Sequence, residues 1–263
     1  LAVGVIIENK AELENINMTS SNFKLLSKAE FDLYGDNPNN FDGNVQLNGL
    51  QIETNGELLS VDHLKLQIDR TPYADLFSIK SSLGSANIQG KINFKHLKDD
   101  LNYQLSRVFP ALFDEVQDKY NHHGQDHFKY NLSLLDANAL VKIIYPKLSV
   151  APKLELYGHY FGEKSNFNMV LKSEHIDYEK FRFENIILNQ FMDSTSTIAT
   201  YHANEFSIGD SIQIKDLNFK STGGDNYLNH DLSWEQGTHP TSHVTWETTI
   251  NGPNVFEIVL NPS

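Results

Sequence analysis

The apolar residues of this chain recur mostly at every second position, in short runs that read as strands with one face buried. KLQI (65–68), ANIQGKINF (86–94), FKYNLSL (128–134), KLELYGHY (153–160), FNMVL (167–171), SIQIKDLNF (211–219) and HVTWETTI (243–250) all have this form. Turn-forming clusters separate them, among them GDNPNN (35–40), TGGDN (222–226) and NGPN (251–254). Regular strands so punctuated predict an all-β sandwich, barrel or solenoid rather than alternating β and α units. Two stretches change period. After Leu97, the residues Leu101, Leu105, Val108, Phe109, Leu112, Phe113, Val116 and Tyr120 recur at spacings of three and four. That spacing predicts a helix with Asp99 and Asp100 near its N-terminus, which Pro110 kinks or divides. A shorter helix is expected from Asp136, as its cap, to about Ile144, with Pro146 as its stop.

One irregularity repeats. In VQLNGLQI (45–52), Val45 and Leu47 alternate with polar residues, and the beat slips by one position before Leu50 and Ile52 resume it. Strand side chains switch faces with a period of two, so a straight strand would put the second apolar pair on the wrong side. The same frame, apolar-x-apolar-x-x-apolar-x-apolar, is filled by Leu59, Val61, Leu64 and Leu66, by Phe181, Phe183, Ile186 and Leu188, and by Ile212, Ile214, Leu217 and Phe219. Ala11, Leu13, Ile16 and Met18 form a weaker copy. The medial pair tends to carry a turn-prone residue: Gly49, Asn185, Asp216 or Asn15. The extra residue is therefore expected to be a β-bulge or sharp bend that returns both apolar pairs to one face. The predicted object is an elongated antiparallel sheet creased along its length, with a greasy concave face and a polar face carrying Gln46, Gln51, Lys65, Gln67, Gln213 and Asn218. The same apolar positions also suit the core of a closed sandwich, and the residues by themselves leave both readings open.

Composition narrows the function more than the fold. The 263 residues carry 21 basic and 34 acidic side chains, a formal net charge of -13 that repels phosphate backbones, and Lys95 with Lys98 is too sparse a cluster to offset it. Nucleic acid is thereby excluded as a partner. The absence of cysteine removes disulfides, thiolate chemistry and thiolate zinc sites. LAVGVII at the start is too short for a signal core or a membrane span. No GxSxG elbow, HExxH helix, phosphate-binding loop or dinucleotide turn occurs, so no enzymatic activity and no cofactor is expected. NHHGQDH brings His122, His123, Asp126 and His127 together as metal-ligand types, but Gly124 breaks the helical spacing, and a loop is the simpler reading. YGDNPNNFDG offers Asp36, Asn37, Asn39, Asn40 and Asp42 without the spacing of an EF-hand, and those residues are what a turn requires. No metal site is expected from either. Asp69, Glu155, Glu174 and Glu205 show no glycosidase-like pairing, and Trp234 and Trp246 read as strand-pair aromatics rather than as sugar platforms.

The order of several stretches carries a family resemblance. FSIKSSLGSANIQGKINF (77–94) is followed by a helical stretch and FKYNLSLLDANALVKIIYPKLSV (128–150), then by LELYGHYF (154–161), FRFENIILN (181–189) and DSIQIKDLNFKSTGGDNYLNHDLSWE (210–235). In this order the chain resembles the TamB branch of the AsmA-like superfamily, the translocation and assembly module inner-membrane component, in its Bacteroidota form. The resemblance implies a mainly β fold, a taco-like β-groove with a short helical insertion. It also implies a periplasmic segment of an inner-membrane-anchored envelope protein that shields phospholipid acyl chains between inner and outer membranes and supports outer-membrane biogenesis. Phospholipid would be its cargo, and an outer-membrane barrel of the TamA/BamA type would be met through regions outside this chain. The chain then reads as an internal segment: residues 1–95 a first groove segment, 96–147 a helical insertion with one intervening strand, and 148–263 a second groove segment. The expected groove lining is Val45, Leu47, Leu50, Ile52, Leu64, Leu66, Ile68, Ile88, Ile92, Phe94, Phe181, Phe183, Ile186, Leu188, Ile212, Ile214, Leu217 and Phe219. Two other functions compete with it: a structural segment of outer-membrane protein assembly that pairs client strands at its sheet edges, and an extracellular carbohydrate-binding β domain.

Overall fold

The computed structural model describes residues 2–8, 23–36, 39–54, 57–112, 125–209, 211–237 and 241–261. The alternating runs become strands: β1 (Ala2–Glu8), β2 (Phe23–Tyr34), β3 (Asp42–Thr54), β4 (Glu57–Arg70), β5 (Asp75–Ser81), β6 (Gly84–Lys91), β7 (His127–Leu134), β8 (Leu148–Val150), β9 (Leu154–Phe161), β10 (Asn166–Tyr178), β11 (Phe181–Met192), β12 (Thr197–Ile208), β13 (Ile212–Gly224), β14 (Tyr227–Glu235), β15 (Ser242–Gly252) and β16 (Val255–Asn261). The protein is mainly β, an elongated antiparallel sheet with a short helical insertion. Strand order follows chain order from β1 to β16, and each strand is antiparallel to its neighbour; β8 alone stands off the path and pairs β10 beyond the end of β9. β1 and β16 do not meet, so the sheet is open.

The crease predicted from VQLNGLQI is present. Val45 and Leu50 are buried and Leu47 and Ile52 half-buried, while Gln46, Asn48, Gly49 and Gln51 are exposed. Both apolar pairs thus share one interior despite their broken parity. Gly49 makes the extra step at φ +61°, a left-handed conformation that glycine adopts without penalty. Against β2 the register jumps between Leu26 and Lys28, whereas against β4 it runs through unbroken from Leu47–Leu64 to Leu50–Val61. β4 therefore carries a matching extra residue.

A second crease crosses β10, β11, β12 and β13. Asn185 and Asp216 take left-handed φ values of 50° and 48°, the conformation for which asparagine and aspartate carry the least strain after glycine. The pairings Ser173–Ile186, Ile186–Ala203 and Ala203–Leu217 stay in register through the bend, and the shift appears only at β14, between Lys215 and Asn218. Four strands bend together along one line.

The helices differ from expectation at their boundaries. α1 spans Phe94–Val108, beginning three residues before Leu97, because the Asn93 side chain accepts a hydrogen bond from the Lys95 N–H at 3.1 Å and caps it. β6 accordingly stops at Lys91, so Phe94 does not extend the alternation of residues 86–94; it opens the helix and meets the Phe77 ring edge-on at 5.0 Å. Asp100 is not at the helix end but fully buried. Pro110 divides the helix as expected: Phe109 ends it by donating to the Leu105 carbonyl at 2.8 Å, and Pro110–Leu112 form a single 3-10 turn. Phe113, Val116 and Tyr120 lie outside the described residues. α2 spans Ala137–Ile144; Asp136 caps it by accepting from the Ala139 N–H at 3.3 Å, and Pro146 follows.

Packing is divided among three clusters rather than gathered into one. Leu50, Leu59 and Val61 pack at the first crease with Ala139 and Leu140 of α2. Ile68, Phe77 and Ile92 pack with Leu97 of α1. Ile186, Ala203 and Leu217 form the corner of the second crease with Phe183, Phe206, Ile214 and Trp234. A closed sandwich of this size would have one contiguous core between two sheets.

Candidate functional site

Residues that face one another across an antiparallel pair point to the same side of the sheet, so the registers define rows running across it. One row is apolar throughout. It begins Phe31–Val45–Leu66–Ile79–Ala86–Leu132–Leu156 and continues Leu171–Leu188–Tyr201–Phe219–Leu232–Val244. At a strand spacing of about 4.8 Å, twelve steps give a path of roughly 58 Å along the inner face. Apart from Val45, its members are half-buried or exposed, with Phe31, Ile79 and Val244 the most open. One row over, at the second crease, Ile186 and Ala203 are almost wholly buried, and at the first crease Val61, two rows over, is buried as fully. The bends thus form a packed spine, and the row beside it is an open apolar lining.

The expected lining residues divide along the same boundary. Val45, Leu50, Ile68, Ile92, Ile186 and Leu217 are buried; Leu47, Ile52, Leu64, Leu66, Ile88, Phe181, Phe183, Leu188, Ile214 and Phe219 are half-buried; Phe94 and Ile212 are exposed. All but Ile92 and Phe94 lie on strands of the one sheet. Sequence reasoning missed two strands of the creased block. Tyr201, Ala203, Phe206 and Ile208 fill the octet in β12, and Leu171, Ser173, Ile176 and Tyr178 fill it in β10, each paired in register with the β11 copy. Ala203 and Ser173 hold the corner positions, where space is scarce, and their small or polar character hid the frame. Leu132 and Leu156 were missed because β7 and β9 are short and uncreased.

Aromatic rings wall the far part of the row. Phe219, His230 and Trp246 stack with centroids 4.9–5.8 Å apart. Burial holds the His230 imidazole below its ordinary pKa, and its Nε2 lies 3.1 Å from Thr248 Oγ1. Tyr130 lies over Gly158, donating its hydroxyl to the Asn168 carbonyl at 2.8 Å, and burial pushes its phenol up to about 12. Burial likewise raises Tyr201 within the row.

The alternative chemistries find little support among the described residues. No three His, Cys, Asp or Glu side chains converge as a metal-holding group. From NHHGQDH, His122 and His123 lie outside the described residues; Asp126 turns inward and is buried, while His127 stays on the surface, stacked on Phe161. In YGDNPNNFDG, Asn37 lies outside the described residues, and Asp36 and Asn40 lock a turn through hydrogen bonds of 3.0 and 2.6 Å. Trp246 belongs to the ring stack and Trp234 to the second-crease cluster. An open depression of about 470 Å³ lies behind the second crease, lined by Lys153, Glu155, Lys172, Glu174, Asn185, His202 and Asn204. It is on the polar face, opposite the apolar row, where bending splays the strands. Among the described residues, no helix is long and apolar enough to cross a membrane. No protein-family model, no curated protein and no solved structure matches the chain.

Proposed function

We propose that this chain is the groove-forming part of a bridge-like lipid-transport protein, a periplasmic segment of a TamB-type envelope protein that carries phospholipid acyl chains along its concave face. The observation that carries the reading is the uncharged apolar row across thirteen adjacent strands, every member but Val45 half-buried or exposed. Each methylene moved from water to such a lining gains about 0.8 kcal/mol, so ten covered methylenes are worth roughly 8 kcal/mol before the losses of binding. Spread evenly along a row without a polar anchor, that gain favours entry at every step and traps the chain at none. A conduit needs no catalytic constellation and no cofactor, and its phospholipid cargo passes to an outer-membrane barrel partner through other parts of the protein.

A second reading has one specific observation behind it. β16 is exposed along its whole length, with Phe256, Ile258 and Leu260 more than half accessible, and it forms an open edge of the sheet. Such an edge suits strand addition by a client in outer-membrane protein assembly. Photocrosslinking residues placed in cells at Leu66 and Leu188, with Gln46 and Gln213 on the polar face as controls, separate the two. Phospholipid adducts from the inner positions alone support the conduit; protein adducts or none at both inner positions reject it.

A further inference from the structure

The depression of about 470 Å³ behind the second crease gathers four charged side chains, two of each sign, on the polar face. Glu155 of β9 stands directly across from Lys172 of β10. Lys153 comes beside Glu174 in the same way, because their neighbours Leu154 and Ser173 are partners. Charge therefore alternates around a quartet whose sides are about 4.8 Å between strands and roughly 7 Å along them. Opposite charges facing each other across a strand pair ordinarily meet. Here no ion pair joins any two of the four. Lys172 instead holds its ammonium 5.6 Å from the centre of the Tyr157 ring, which leaves the Glu155 carboxylate to the hollow. The row from Glu155 and Lys172 continues through Ile187, 38% exposed, to His202. The His202 ring is held on both sides, Nδ1 2.8 Å from Asn218 Oδ1 and Nε2 3.0 Å from Asn204 Oδ1, so that wall is set before anything binds.

We propose that this hollow binds a small bipolar molecule, one that carries a primary ammonium and an oxyanion on a short linker, as phosphoethanolamine does. The oxyanion lies with Lys153 and Lys172, the ammonium with Glu155 and Glu174, and the linker over Ile187. A ligand of one sign is attracted by one diagonal of the quartet and repelled by the other; only a bipolar one satisfies both. Contacts to exposed charges are individually weak and screened by salt, so a Kd on the order of 1 mM is expected. The same chemistry is offered by a free small molecule and by a phosphatidylethanolamine headgroup. The inference does not depend on what the groove carries.

The test titrates the full chain with phosphoethanolamine at low ionic strength, following backbone amides by NMR, with ethanolamine and inorganic phosphate as its two halves. Shifts should centre on residues 153–155, 172–174, 187 and 202–204, and each half should bind at least about tenfold more weakly than the whole. Glu174→Lys keeps the fold, checked by its melting midpoint, and should reverse the preference, so that inorganic phosphate binds more tightly than phosphoethanolamine. Lys220→Gln, on the same face outside the hollow, should change neither affinity. Competition by phosphatidylethanolamine vesicles but not by phosphatidylglycerol vesicles assigns the ligand to a lipid headgroup; no competition by either assigns it to a free small molecule. No saturable shift at about 50 mM phosphoethanolamine, equal affinity for phosphate and phosphoethanolamine in the parent, or a preference that Glu174→Lys leaves unchanged overturns the site.

Discussion

Ile186 and Leu188 stand two residues apart on β11, point to the same face, and should differ sharply on truncation. Ile186 sits in the corner of the second crease, 2% exposed, against Ala203 and Leu217. Ile186→Ala removes three carbons, about 2.4 kcal/mol of transfer free energy, and adds the cost of a cavity the bent backbone cannot close, for a total of about 3–4 kcal/mol. Leu188 belongs to the apolar row and is half-buried. Its truncation forfeits about half the transfer term and opens no enclosed void, so about 1 kcal/mol is expected. With a urea m-value of about 2–3 kcal/mol/M for a chain of this size, the two midpoints should lie roughly 0.7–1.5 M apart. Urea titrations followed by circular dichroism measure this directly. If Leu188→Ala costs as much as Ile186→Ala, the row is sealed in a core and the groove reading fails.

Three further perturbations test the crease, the close approach of strands and the ring stack. Gly49 has open space where a Cβ would go, so Gly49→Ala should cost only the left-handed strain, about 1–2 kcal/mol, and Gly49→Asn less, read from urea midpoints. At Gly158 an added Cβ runs into the Asn168 carbonyl and the Tyr130 ring, so Gly158→Ala should cost more than about 3 kcal/mol and raise amide exchange in β7, β9 and β10; a midpoint near that of the parent disproves the contact. Because burial lowers the His230 pKa in the fold, its contribution is present above about pH 6.5 and is lost as pH falls through the lower folded value. Trp246 fluorescence in a Trp234→Phe background should report that acid loss, and His230→Phe, which keeps the stack, should flatten it.

The sequence made the fold class legible because alternation and bulge are both statements about facing, and facing is local. The octet located Gly49, Asn185 and Asp216, the three residues that take left-handed conformations at the creases. It did not locate Ala203 or Ser173, because a corner position rewards small volume and a hydrophobic pattern counts only large apolar residues. It misplaced Phe94, whose alternation with Ile92 and Ile88 continues beyond the point where the Asn93 cap turns the chain into α1. The continuous row was not visible at all, since it depends on which residues stand opposite one another across hairpins of different length. The buried hydrogen bond from Gln104 to the Tyr160 hydroxyl under α1 was equally hidden, because the two residues are 56 apart in sequence.

Register also explains why a β-groove contains helices. The second flap of the creased sheet is complete at β2–β4 and at β10–β13, where strands run through the bend. Between them β5, β6, β7 and β9 end at the crease line, at Ser81, Gly84, Leu134 and Leu154, which lie in one row between Leu64 and Ser173. That leaves residues 58–63 of β4 without a β5 partner and gives β8 a partner on one side only. Two unprotected edges face each other across a gap, each with apolar side chains behind it. α2 fills the gap. Its Ala139 and Leu140 pack on Leu50, Leu59 and Val61, while the Asn138 side chain accepts from the Val150 N–H at 3.3 Å and the Ser149 hydroxyl at 3.1 Å. A helix satisfies its own backbone internally, so eight residues can close a wall that strands would have needed a further hairpin to complete. α2 is thus a panel in the groove wall rather than a separate body, held there by side chains instead of a backbone ladder.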